Sequence, residues 1–232
     1  MSCRSESTKA GVASGVHGSA GAFGGSQSTF RSRRAWIVFL TAIVLSLVVD
    51  LLTKEWAFAR LANAPVTIDR SQVLATSDLH LLLPQPPPRV VVVPGLLDLT
   101  LVLNPGAVFG LGAGKRWFFI FFTVIAVAVV TWIFWKGTRP RDWPAHLAAG
   151  LIIGSGLGNL YDRVLYACVR DFLHPLPQAR WPGGKPLWPY VSNVADALLL
   201  AGIAGLLLFT WRRDASEDMP AGPKTNKDRA ES

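Results

Sequence analysis

Apolar positions along the chain gather into four long runs, 35–52, 117–135, 145–160 and 194–211, separated by polar or mixed stretches. The first run is about 18 residues long and, at roughly 1.5 Å per residue, just reaches across a hydrocarbon core. The other three fit the same description, so the pattern predicts four membrane-spanning helices. Two segments between them face the opposite side from the termini. Segment 55–115 has a Pro-rich break at 84–88 and then two β-rich stretches, 90–93 and 97–103, parted by Pro94-Gly95. That arrangement predicts a hairpin or small curled sheet resting on the membrane surface. Segment 164–192 is rich in Pro and Trp and is expected to lie along the interface. Residues 1–34 and 214–232 are expected to be disordered tails, the first being rich in Gly, Ser and Ala without apolar periodicity. The expected fold is thus an all-α membrane protein, with four transmembrane helices and a small outward-facing β-rich subdomain in one unit, 35–213.

Composition agrees with a lipid-solvated chain. Of 232 residues, 50% are hydrophobic and 16% charged, outside the usual range for a soluble domain. The formal net charge of +8 does not form one broad basic face, which argues against a nucleic-acid partner. Instead Arg31, Arg33 and Arg34 precede the first run, Lys136, Arg139 and Arg141 lie between the second and third, and Arg212 and Arg213 follow the fourth. All fall on one side, which the positive-inside rule makes cytoplasmic, together with both termini. Trp36, Trp117, Trp132, Trp135, Trp143, Trp188 and Trp211 stand at or near the run ends, where an interfacial aromatic belt belongs. A signal-peptide reading competes at the first run, because Ala57-Phe58-Ala59 imitates a cleavage site. The run exceeds a typical signal core, and further spans follow it. Cys3 and Cys168 are too few for a disulfide framework and fall on opposite sides of the predicted membrane.

Polar residues cluster at the outward ends of the runs. Asp50 and Lys54 are four apart on one helical face and can pair, either as a helix-end ion pair or as part of a site. The third run carries Gly150, Gly154 and Gly158, a smooth stripe for close approach by another helix. It ends in Gly158-Asn159-Leu160-Tyr161-Asp162-Arg163, with Asn159, Asp162 and Arg163 at steps of three and four. Such groups are costly against lipid and must look inward or bind something polar. Asp171 follows in Val169-Arg170-Asp171-Phe172. The fourth run opens with Asn193-Val194-Ala195-Asp196, where Asn193 or Ser192 caps the helix and Asp196 either favours its dipole or does chemistry. Asn104-Pro105-Gly106-Ala107-Val108-Phe109-Gly110 is a turn-forming run before the second span. All these groups converge on one outward face, and none sits mid-span. A transporter would place ionisable groups near the midplane, so a surface-facing active site fits better.

These motifs, in this order, make the stretch from about residue 35 to 211 resemble lipoprotein signal peptidase (signal peptidase II). The resemblance implies a bacterial inner-membrane aspartic endopeptidase that removes signal peptides from prolipoproteins, cutting just before a diacylglyceryl-modified cysteine. It implies Asp171 and Asp196 as the catalytic pair. Asn104, Asn159, Arg163 and Asn193 would line the substrate site, with Asp50, Lys54, Gly106, Gly158, Asp162 and Ala195 supporting it. It further implies prolipoprotein substrates, membrane lipids and globomycin-type inhibitors as partners, no cofactor and no metal; a monomer is expected. Between Lys54 and Asn104 the chain is longer than the family usually is, with the extra length at 62–89. Ser155 stands where glycine is common, and Val108 where a smaller residue is often found.

Two aspartates suit hydrolysis without a metal or covalent intermediate: one carboxylate takes a proton from water while a carboxylic acid protonates the carbonyl oxygen. Like charges resist simultaneous ionisation, so the pair shares a proton and its titration belongs to both. Rival chemistries are poorly supplied. Gly154-Ser155-Gly156 needs a histidine at matching depth, whereas His146 lies at the opposite end of its run and His174 in a loop. His17, His80, His146 and His174 have no metal-ligand spacing, and Cys168 lacks an evident base. The non-enzymatic alternative is a small transporter or scaffold in which these charges lock the bundle.

Overall fold

Helix α1, Arg33–Arg60, starts where the Ser32 side chain accepts a hydrogen bond from the Ala35 amide and ends where Leu61 N–H closes on Ala57 O. In this computed structural model, residues 29–106 and 116–217 are described. The expectations for 1–28, 218–232, Cys3, His17 and Ala107 to Gly110 fall outside the described residues. The remaining elements are α2, Arg70–Ala75; β1, Val90–Val93; β2, Leu97–Asn104; α3, Arg116–Trp132, continued by a π-helical turn, Ile133–Gly137; α4, Trp143–Leu165; β3, Val169–Pro175; and α5, Val194–Glu217.

Among the described residues, three helices are long and apolar enough to cross a membrane: Arg33–Arg60, Trp117–Gly137 and Val194–Arg213. The sequence reading expects four; by length and composition α4 is not among them. Its position explains why. Helix α4 lies against α1, α3 and α5 and buries Ala145, His146, Ala148, Ala149, Gly150, Ile153, Gly154, Ser155, Gly158 and Asp162. A helix that meets protein on most sides uses small and polar residues where its neighbours use lipid-facing apolar ones. At Gly154 a Cβ would collide with Ser46 Oγ and stand 2.5 Å from Ile43 O; at Gly150 it would stand 2.5 Å from Ala42 Cβ. Contact that close needs the bare backbone edge, and it brings α1 and α4 together along the predicted stripe.

Several predicted boundaries shift. Helix α1 runs eight residues past the expected span because its last turns are held by packing: Ala57 and Phe58 are buried beneath the sheet. Within the segments expected as tails, Thr29–Arg31 forms a 3-10 turn whose Thr29 hydroxyl donates to Thr138 O, and α5 continues to Glu217.

The sheet has order β1-β2-β3, antiparallel throughout. The predicted hairpin is present as β1 and β2. Strand β3 was not expected; it crosses the second outward segment and pairs Asp171 with Val102 and Val169 with Asn104. A register irregularity lies between Leu99 and Val102. Leu99, Leu101 and Leu103, two apart and so on one face, are buried with Phe58, Phe172, Val73, Leu79 and Leu83. The extra segment 62–89 therefore contributes a roof: α2 and a 3-10 turn, Leu79–Leu82, insert apolar side chains over the sheet. At the other end of the bundle Phe39 stacks on Phe134 at 4.0 Å, with Trp36 edge-on to Phe134.

Candidate active site

Five elements deliver polar side chains to one place: the outer turns of α1 and α4, the ends of β2 and β3, and the start of α5. The opening of α5 shows how. Asp196 N–H donates to Asn193 Oδ1 at 3.0 Å, and Asn193 N–H donates to Asp196 Oδ2 at 3.2 Å. This reciprocal cap satisfies helix-end amides and uses half of each side chain. The other halves, Asn193 Nδ2 and Asp196 Oδ1, are free for the site. Capping and site geometry, alternatives in the sequence, coexist in the same two residues.

A chain of amides then links the carboxylates. Asn193 Nδ2 donates to Asp171 Oδ1 at 2.6 Å and to Asn159 Oδ1 at 3.1 Å, while Asn159 Nδ2 donates to Asp196 Oδ1 at 2.9 Å. Asn104 Nδ2 donates to the other Asp171 oxygen at 3.0 Å. The Asn104 amide is in turn oriented by the Gly106 N–H, which donates to Asn104 Oδ1 at 3.0 Å. Asp171 is 1% exposed and Asn193 0%, whereas Asp196 and Asn159 are half-buried. Burial, and next the charge of Asp196, push the Asp171 carboxyl up to about 7, against the amide hydrogen bonds and Lys54, which favour its anion.

Beneath this layer lies a charged one. Lys54 Nζ is 2.7 Å from Asp50 Oδ2, 2.9 Å from Asn159 Oδ1 and 3.4 Å from Asp162 Oδ2, with Lys54 and both carboxylates fully buried. Because Asn159 Oδ1 accepts from both Lys54 and Asn193, its NH2 must turn to Asp196. Asp50 Oδ1 accepts from Ala195 N–H at 3.0 Å, tying α1 to the start of α5. A Cβ on Gly158 would collide with Asp50 Oδ2, so the last glycine of the stripe makes room for this carboxylate. Arg163 takes another direction: it donates to Gly106 O at 2.9 Å and Asn159 O at 3.1 Å, and lies over Phe119 at 5.4 Å.

Every site residue expected from the sequence is thus in this one network. Arg170 and Glu55 were missed. Arg170 grips Asp162 and reaches Glu55; its signal was only that strand alternation turns it away from Asp171. The rival nucleophiles are not equipped. Ser155 Oγ has no hydrogen-bond partner, and His146 Nε2 is 3.1 Å from Thr138 Oγ1 instead. Burial pushes the Cys168 thiol up to about 12, leaving it protonated. Among the described residues, no three His, Cys, Asp or Glu side chains are grouped to hold a metal ion.

Comparison with known proteins adds to this geometry. The family model described as signal peptidase (SPase) II matches residues 42–212. The lipoprotein signal peptidase of Desulfitobacterium hafniense (strain DSM 10664 / DCB-2) is 38% identical over 128 residues, covering 55% of this chain and 78% of the relative. That of Bifidobacterium longum (strain DJO10A) is 32% identical over 188 residues, covering 78% and 80%. Two solved bacterial membrane enzyme structures share the fold. One has a TM-score of 0.57 at 24% identity, covering 82% of this chain and 94% of that one; the other has 0.50 at 23%, covering 75% and 90%.

Proposed function

The chain belongs to the signal peptidase II family and is a membrane-embedded lipoprotein signal peptidase, and from that premise we propose that Asp171 and Asp196 jointly cut prolipoproteins on the N-terminal side of a diacylglyceryl-modified cysteine. The observation that carries this reading is the continuous hydrogen-bonded path Asp171, Asn193, Asn159, Asp196. Two carboxylates joined by amides that only donate to them are held in register without being neutralised by a cation. With one proton between them, the ionised member removes a proton from water as that water attacks the scissile carbonyl, and the protonated member supports the oxygen that gains charge. The proton then moves to the leaving nitrogen.

Asn104, Asn159, Asn193 and Arg163 line the substrate site. Asp50, Lys54, Asp162, Gly106, Gly158 and Ala195 hold its walls. Residues 35–213 form the peptidase unit, in which α4 crosses the bilayer as the fourth span, sheltered by the other three. Its setting is the bacterial inner membrane, with both termini cytoplasmic and the aspartates at the periplasmic face. The substrate's signal helix and acyl chains stay in the bilayer, so the cleft opens sideways to lipid. Globomycin-type inhibitors compete for that cleft, and the enzyme acts as a monomer.

The substrate class is tested by presenting the full chain in lipid with one prolipoprotein in two forms, with and without the diacylglyceryl group. Cleavage of the lipidated form at a rate at least about 100-fold higher is expected, a difference of about 2.7 kcal/mol in transition-state binding. Equal rates on both forms contradict recognition of the lipid.

A further inference from the structure

One buried cation beside the proposed catalytic pair has no part in the mechanism above. Arg170 is 4% exposed and precedes Asp171 on β3. Strand alternation sends the two side chains to opposite faces. Asp171 meets Asn104 and Asn193, whereas Arg170 points at α1 and α4. Its Nε and Nη2 donate to Asp162 Oδ1 at 3.2 and 2.9 Å, its backbone N–H to Asp162 Oδ2 at 3.0 Å, and its Nη1 to Glu55 Oε2 at 3.1 Å. Its Cζ lies over the Tyr166 ring, 4.5 Å from the centroid, and 6.0 Å from that of Phe58.

This clamp sits beside an irregularity of the sheet. The ladder between β2 and β3 shifts register between Leu99 and Val102, so Val102 and Asp171 pair just past a break. On one side of Asp171 the Phe172 N–H turns to Ser192 O at 2.9 Å, and on the other side Arg170 ties the strand to two helices. It also pairs off the charged layer beneath the aspartates. There Asp50 and Asp162 are matched by Lys54 and Arg170, while Asp171 stands apart among asparagines. With Arg170 holding Asp162 Oδ1, Lys54 stays 3.4 Å from Asp162 Oδ2 and lies closer to Asp50 and Asn159, at 2.7 and 2.9 Å, and through Asn159 the geometry reaches Asp196.

We propose that Arg170 is a positioning residue for the peptidase reaction, a forked clamp from α1 and α4 that sets the height of Asp171 and frees Lys54 to orient Asn159. The proposal rests on the reading of Asp171 and Asp196 as the catalytic pair. A planar fork stacked on Tyr166 is required, and an ammonium cannot reproduce it.

The test compares kcat and KM on a lipidated prolipoprotein in vesicles for the native chain, Arg170→Met, Arg170→Lys, Glu55→Gln and Asp171→Asn. Misplacement near the reacting atoms predicts a fall in kcat of about 10- to 100-fold for Arg170→Met, with KM within about twofold of native. Arg170→Lys is expected to recover less than about a third of the lost rate. Glu55, 72% exposed, is the variant that folds regardless; Glu55→Gln is expected to lower kcat about two- to fivefold at unchanged KM, the reach of one exposed ion pair. Native kcat in Arg170→Met, full recovery by lysine, or native kcat in Glu55→Gln where Arg170→Met does not fold overturns the clamp. Loss of activity in Asp171→Asn alongside those results shows that the clamp failed and not the aspartate assignment; a fully active Asp171→Asn shows the reverse.

Discussion

Asp171 sits where a carboxylate pays most for its charge: it is 1% exposed and faces a second carboxylate across two asparagines. With its folded pKa pushed up to about 7, above the value near 3.9 of an unfolded aspartate, the folded chain holds a proton that the unfolded chain releases. Folding stability therefore falls as pH rises through the window from about 4 to about 7 and stays low above it. Asp171→Asn removes that penalty. At pH 8 the variant is expected to unfold about 5 °C or more above the native chain, with the gap closing toward pH 4, as thermal melts in one detergent at both pH values will read. A variant less stable than native at pH 8 would deny that burial and Asp196 strain the charge. The gathering of these side chains was largely legible in the sequence, because polar groups at the ends of apolar runs are too costly to leave against lipid. Arg170 was not legible. Its neighbour Asp171 drew the eye, and its own value depends on Glu55 and Asp162, 115 and 8 residues away.

At the scale of elements, α1 and α4 meet through glycines, and the site inherits its spacing from that contact. At Gly154 the obstacle to a side chain is Ile43 O, a backbone atom 2.5 Å from the place of a Cβ; at Gly156 it is only Thr123 Cγ2 at 3.5 Å. Gly154→Ala is expected to cost about 1–3 kcal/mol through overpacking and to lower activity by separating Asp50 and Lys54 from α4. Gly156→Ala, one turn-face away, is expected to be neutral or slightly stabilising. Melting temperature and cleavage rate of the two variants check this directly, and equal behaviour would contradict the close approach. The four-residue glycine spacing showed the stripe from sequence alone. The third strand stayed hidden because Val169-Arg170-Asp171-Phe172 has polar residues on both faces, which is what a strand buried between charged helices and a polar site requires. The roof over the sheet was hidden for a related reason: Val73, Leu79 and Leu83 are scattered apolar residues in a Pro-interrupted stretch, and only their convergence makes them a core.

For the whole molecule, three lipid-facing helices enclose a less apolar one, and a small sheet stands over the end where the charges collect. Four spans were expected from four long apolar runs, yet α4 is set apart by composition, and its polarity is the trace of its central position. The same placement keeps Asp50, Lys54, Asp162 and Arg170 buried beneath the two asparagine-linked carboxylates of the proposed catalytic pair. The proposed mechanism requires those carboxylates to work as one unit. It is tested most directly by the single-turnover rate on a lipidated prolipoprotein for the native chain, Asp171→Asn, Asp196→Asn and the double variant, each shown to be folded. Each single variant is predicted to lose at least about 1,000-fold, and the double variant little more than either, as groups acting together are non-additive. A single variant within about tenfold of native, or a double variant whose loss is the product of the two, would contradict the account.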